Sequence, residues 1–165
     1  MLRIVKLNLY NFKLFKSMKE NWSNYNDELD HFLVDVLKMS DELKAVDVVQ
    51  IIQKEEKNRF MEINPGILYF LFDTTVNAFV GFSRVSFVIE EKENKDFNIE
   101  FKICPKYENF GYEKTFIELL SKVFVERNKA KPIYRVKNSD TKISKVMIDS
   151  GLNLINSYKD YLFYF

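Results

Sequence analysis

Apolar residues interleave with polar ones from the start of the chain, where Ile4, Val5, Leu7 and Leu9 predict a strand over 3–9. Positions 11–20 fit neither period cleanly. Leu29, Phe32, Leu33, Val36 and Leu37 fall on one helical face behind Asn26 and Asp27, which can cap a helix over 26–38. Ser40 is placed to cap a second helix that turns Ala45, Val48, Val49 and Ile52 inward and leaves the charges of 54–57 in water. Asn64, Pro65 and Gly66 stop it.

Two aromatic and β-branched runs, 67–72 and 78–89, predict strands joined by a polar turn over 73–77. The charge-dense stretch 90–96 reads as an exposed loop. Over 98–104, Ile99, Phe101 and Ile103 alternate with Glu100 and Lys102, as a strand requires. Phe116, Leu119, Leu120, Val123 and Phe124 then make a helical stripe over 115–128, which Lys131 and Pro132 bring to an end before a short strand at 133–136. Residues 138–140 can cap a last helix carrying Ile143, Val146 and Met147, with Gly151 in a left-handed terminating position. Strands over 152–157 and 161–165 close the chain. The order β, helices, β-β-β, α, β, α, β-β implies one α/β (α+β) domain over 1–165 with a mixed central sheet.

Composition supports a packed core, since 47% of the 165 residues are hydrophobic and 16% aromatic. Charge does not select a partner: 25 Lys and Arg stand against 24 Asp and Glu, so neither nucleic acid nor an anionic membrane surface is expected. One cysteine, Cys104, excludes an internal disulfide, and one histidine, His31, leaves no ordinary metal-ligand cluster, so no metal is expected. No segment approaches the roughly 18 apolar residues that span a bilayer. The first residues carry charges among their apolar positions, unlike a signal peptide. The expected compartment is the cytoplasm.

Candidate chemistry centres on the loop from Pro105 to Lys114. A strand opening onto a helix N-terminus gathers unpaired backbone N–H groups at the positive end of the helix dipole, which suits a pyrophosphate. Gly111 supplies the turn such a loop needs, but it would equally serve an ordinary strand–turn–helix connection. Glu108 and Glu113 oppose an anion unless they point into water. Cys104 reads as a small buried residue at a strand end, because no histidine follows it to act as base. Arg127, Lys129, Lys131, Arg135, Lys137 and Lys142 form a locally basic stretch. It spans a helix end, a strand and a helix start, so it need not form one patch.

The element order resembles that of the Gcn5-related N-acetyltransferases (GNAT). So do Val80-Gly81, the run from Ile103 and Cys104 through Gly111 and Tyr112, Asn138, and the stretch 144–152 ending in Gly151-Leu152. The resemblance spans nearly the whole chain by order and is specific over 76–165. It implies a GNAT-like mixed sheet of about seven strands flanked by helices, acetyl-CoA as co-substrate, and acetyl transfer to a primary amine of a small molecule or peptide. The family's pyrophosphate pattern, Gln/Arg-x-x-Gly-x-Gly/Ala, falls on Glu108, Gly111 and Glu113, and only Gly111 matches it.

Carried over residue by residue, the implied coenzyme-binding set is Ile103, Cys104, Glu108, Asn109, Phe110, Gly111, Tyr112, Glu113, Lys114 and Asn138. The backbone N–H of Ile103 or Cys104 would hold the oxyanion. Glu100 would be the general base, directly or through water, or else a strand residue paired with Lys102. One or two cations of the basic stretch would meet the coenzyme 3′-phosphate. Met147 stands where many members place a proton-donating Tyr, and a thioether donates nothing. Glu108, Glu113 and Met147 also suit a second reading, a catalytically inactive acetyltransferase-like binding module. A nucleic-acid-binding domain is a third and weaker reading. Aromatics of both chain ends would line the acceptor pocket. The acceptor itself, and the choice between monomer and homodimer, stay open.

Overall fold

The computed structural model describes residues 1–20, 31–57, 66–87, 97–128 and 132–165. Within them the alternating runs become strands β1 (Leu2–Val5), β2 (Ile67–Asp73), β3 (Ala78–Phe87), β4 (Phe97–Ile103), β5 (Pro132–Lys137), β6 (Leu154–Tyr158) and β7 (Tyr161–Tyr164). The helical stripes become α1 (Phe12–Glu20), α2 (His31–Glu42), α3 (Ala45–Lys57), α4 (Tyr112–Asn128) and α5 (Thr141–Asp149). One sheet runs β1-β2-β3-β4-β5-β7-β6, with β4 and β5 parallel and the other neighbours antiparallel. The mixed α/β architecture expected from the sequence is the one observed.

Several boundaries differ for local reasons. β1 stops at Val5, because Asn8 and Asn11 fold the following chain into a side-chain-bonded turn. Asn8 N–H donates to Asn11 Oδ1 (2.8 Å), and Tyr10 N–H donates to Asn8 Oδ1 (2.9 Å). The unassigned stretch 11–20 is helix α1, which buries Phe12, Phe15 and Met18. Ser40 caps no helix. It lies inside α2, fully buried, with its hydroxyl donating to the Leu37 carbonyl at 2.6 Å. The expected cap at Asn26 and Asp27, the stop at Asn64 and Pro65, and the loop 90–96 lie outside the described residues.

α4 begins at Tyr112, three residues before the expected Thr115, so Glu113 and Lys114 belong to its first turn and not to the loop. An acidic residue there favours the earlier start. α5 ends as expected: Gly151 N–H donates to the Ile148 carbonyl (2.9 Å) and Leu152 N–H to that of Met147 (3.1 Å), a Schellman pair.

Helices cover opposite faces of the sheet. Phe15 of α1 meets Phe70 edge-on at 5.7 Å, while the neighbouring Tyr69 meets Phe124 of α4 at 5.9 Å. Adjacent strand residues point to opposite faces, so α1 and α4 lie on different sides. The α4 side buries Phe101 against Phe116 at 5.4 Å. Tyr134 is also buried there, with its hydroxyl donating to the Ile117 carbonyl at 2.9 Å.

Candidate functional site

The site begins where two parallel strands part. β4 and β5 pair from Phe97/Pro132 to Ile99/Tyr134 and no further, whereas β4 stays paired with β3 as far as Gly81/Ile103. A Cβ on Gly81 would come within 2.7 Å of the Lys102 carbonyl, so glycine is what allows this close β3–β4 approach. Cys104 N–H donates to the Val80 carbonyl at 2.8 Å. In an antiparallel pair the bonding direction alternates, so Lys102 also faces β3 while Ile103 turns its N–H toward the widening gap beside β5. A cleft of about 330 Å³ opens there, with Ile103, Glu108, Glu113, Lys137 and Lys142 among its walls.

This geometry decides between the two amides. That of Cys104 is spent within the sheet, whereas that of Ile103 faces the gap. The Cys104 thiol is buried against the Phe79 carbonyl (3.6 Å), and burial pushes its pKa up, which fits the inert reading.

At the α4 mouth of the cleft, a short 3-10 turn (Pro105–Tyr107) leads into Glu108. Asn109 and Gly111 then have φ of 70° and 76° on either side of Phe110. Left-handed residues spaced this way fold a loop into a concavity at the start of α4. An added Cβ on Gly111 meets nothing within 4 Å, so the space before it is open. The unpaired first-turn amides of α4, the concave loop and the free Ile103 edge together fit an extended thioester with a pyrophosphate.

One element works against that fit. Glu113 does not point into water. It is 4% exposed, and Lys142 Nζ of α5 lies 3.0 Å from its Oε1. Lys142 also donates to Asn109 Oδ1 at 3.4 Å, tying the loop to α5. Glu108 is exposed, so solvent screens its charge. Phe110 stands 70% exposed, stacked over Tyr112 at 6.1 Å. Tyr112 reaches away from the cleft and donates its hydroxyl to Asp73 Oδ2 at 2.8 Å. Burial and that carboxylate push the Tyr112 pKa up to about 12. Asp73 is pulled the other way: burial would raise it, but Thr75 N–H and Tyr112 hydroxyl hold its carboxyl below the usual range.

The opposite mouth lies on the α1 face. Arg84 sits across from Glu100 and Phe82 across from Lys102, and Phe82 in turn pairs with Phe70, on which α1 packs. Arg135 follows the α4-facing Tyr134, so it points to the α1 face as well, together with Lys137 and its partner Tyr161. Glu100 Oε1 is 2.8 Å from Arg135 Nε, a charge contact whose N–H is not aligned for a hydrogen bond. The Arg135 guanidinium lies 3.8 Å from the centre of the Tyr161 ring. A cavity of about 70 Å³ lies among these side chains and shares Phe101, Lys102, Lys137, Asp140 and Ile143 with the larger cleft.

The structure therefore gathers Ile103, Glu108 and Glu113 around one cleft, with Asn109 tied to its wall through Lys142, Gly111 in the adjoining loop, and Glu100 in the smaller cavity on the α1 face. Lys114 is exposed on the first turn of α4. Asn138 is committed elsewhere: its N–H donates to the Asp160 carbonyl (2.8 Å) and its side-chain amide to that of Lys159 (3.1 Å), holding the β6–β7 turn. Met147 is fully buried on α5 and offers the cleft no proton. Of the basic stretch, Arg135, Lys137 and Lys142 reach the site, while Lys129 and Lys131 lie outside the described residues. Sequence reading missed Arg84 as a site residue, since only strand register brings it there, whereas Tyr161 is one of the C-terminal aromatics expected near the acceptor pocket. Among the described residues no group of His, Cys, Asp or Glu could hold a metal, and no helix is long and apolar enough to cross a membrane.

No family model matches the sequence, and no curated protein matches it. Solved structures do. A GNAT-family acetyltransferase from Bacillus anthracis is 16% identical with a TM-score of 0.60, over 99% of this chain and 92% of its own. A spermidine/spermine N-acetyltransferase from Vibrio cholerae is 12% identical at TM-score 0.61, over 99% and 93%. A Campylobacter jejuni N-acetyltransferase, solved with acetyl coenzyme A, is 13% identical at TM-score 0.55, over 99% and 96%. At such identities the likeness is one of fold.

Proposed function

We propose, from the GNAT acetyltransferase fold of this chain, that it is an acyl-CoA-dependent N-acyltransferase moving an acetyl group from acetyl-CoA to a primary amine by direct attack. The observation that carries this is the parting of β4 from β5 beside the unpaired Ile103 N–H, in line with the open loop at the start of α4. Acetyl-CoA supplies the thioester carbon. The loop amides around Asn109 and Gly111 and the first turn of α4 hold the pyrophosphate, with Lys142 beside them. Ile103 N–H receives the carbonyl oxygen as it gains negative charge.

The amine enters from the α1 face. Its nitrogen forms the new C–N bond, the C–S bond breaks, and Glu100 or a water beside it takes the proton. Met147 leaves the sulfur without a protein acid. A thiol has an ordinary pKa of about 8.5, so a thiolate leaves near neutral pH without one.

A second reading, a GNAT-like module without catalysis, is favoured by Glu113, whose buried carboxylate occupies the α4 mouth with Lys142 against it. Isothermal titration separates the two. Acetyl-CoA is expected to bind, and Glu108→Arg with Glu113→Gln to bind it more tightly. Absence of binding at millimolar coenzyme, unchanged in the double variant, would sink the acyltransferase reading and leave the module.

A further inference from the structure

Charge on the α1 face bears on the acceptor. The cavity there is lined by the cations Arg84, Lys102, Arg135 and Lys137, against the carboxylates Glu100 and Asp140. Asp140 has a structural task, since its Oδ1 accepts Ile143 N–H as the cap of α5 (3.1 Å). Glu100 lies between Arg84, its cross-strand neighbour, and Arg135. Among the described residues Arg135 has Glu100 and Tyr161 as partners, and Lys137, exposed at the end of β5, has none.

The Arg135 guanidinium is seated on the Tyr161 ring, 3.8 Å from its centre. A planar fork held in this way matches a carboxylate or phosphate through paired N–H groups. A polyamine would bring two or more ammonium groups up to Arg135 and Lys137, where like charges raise the cost of binding.

We infer that the acceptor amine also carries an anionic oxygen group, a carboxylate or a phosphate, held by Arg135 and Lys137 while its amino group faces Glu100. The inference rests on the acyl-transfer reading of the same cleft. It separates this chain from the Vibrio cholerae spermidine/spermine enzyme that shares its fold.

Equilibrium titration of the full chain with amines alone tests it, because acceptor binding is read without coenzyme. The probes are γ-aminobutyrate, phosphoethanolamine, n-butylamine and putrescine. At least one of the two anionic amines binds about tenfold or more tighter than n-butylamine, and putrescine binds weakest. Whichever anionic amine binds tighter identifies carboxylate or phosphate. Lys137→Glu, at an exposed position that leaves the fold intact, erases or reverses the ranking. Putrescine binding as well as the anionic amines overturns the inference. So does a ranking unmoved by Lys137→Glu, or no binding by any probe at millimolar concentration. Failure of the acyltransferase reading shows separately, as lost acetyl-CoA binding.

Discussion

The two mouths of the β4–β5 opening differ in how their charges are paired, and each holds charges of the sign that a simple expectation would exclude. The α4 mouth, where we propose that backbone amides hold an anion, contains the carboxylates Glu108 and Glu113. The α1 mouth, where the proposed reaction admits an amine, is lined by Arg84, Lys102, Arg135 and Lys137. The difference lies in what each charge is paired with. Glu113 is matched by Lys142, so the buried carboxylate of the α4 mouth is part of an ion pair, while Glu108 stands in solvent. On the α1 face Glu100 answers Arg135, while the side chain of Lys137 has no partner among the described residues. A residue's sign along the chain therefore says little about the field it helps to make.

The largest way to break the contrast is at Gly111. Its φ of 76° strains any side chain, and a β-branched one most, although the space around it is open. Gly111→Val should weaken acetyl-CoA binding at least hundredfold, about 2.7 kcal/mol. The amine titrations at the α1 mouth should not change. Calorimetric titration of both ligands on one preparation checks it, with circular dichroism to verify the fold. Normal coenzyme binding would mean that the loop is only a turn and that the α4 mouth is no anion site.

Most of the fold was legible because it rests on local periodicity. The alternation of Ile99, Phe101 and Ile103 and the stripe from Phe116 to Phe124 both emerged as expected elements. Ser40 misled because a hydroxyl that can cap a helix can equally bond back to a carbonyl inside one. The loop at Gly111 was legible for the same local reason. What escaped was register. Nothing near Glu100 in sequence says that Arg84 lies across from it and Arg135 beside it. Likewise, the choice between the Ile103 and Cys104 amides depended on Val80, on another strand.

A mid-sized effect sharpens the α4 side. Lys142→Met leaves Glu113 buried without its cation, which should cost about 1–3 kcal/mol of stability, less than a fully buried pair because Lys142 is half exposed. Glu113→Gln should cost less, because it removes the charge together with its need for a partner, and it should tighten coenzyme binding. Urea unfolding of the two variants reads the difference. Equal losses would show that the pair is incidental and that the contrast between the mouths overstates its role.

The smallest expected effect is at the contact that anchors the start of α4 to the β2–β3 turn. Tyr112 donates to Asp73, whose carboxyl is held below its ordinary value by Thr75 and Tyr112 despite burial. A carboxylate with a depressed folded pKa stabilises the fold above its unfolded value and loses that contribution as the pH falls through the folded one. Tyr112→Phe should therefore cost about 1 kcal/mol near neutral pH, with the gap from the parent closing as the pH drops below about 4. Tyr112 itself, raised to about 12, contributes below its unfolded value, and that contribution goes as the pH climbs through the folded one. Urea midpoints of parent and variant across that range give the test. A constant gap at acid pH would show that the hydroxyl stabilises by packing alone, leaving the cradle's position independent of the Asp73 charge.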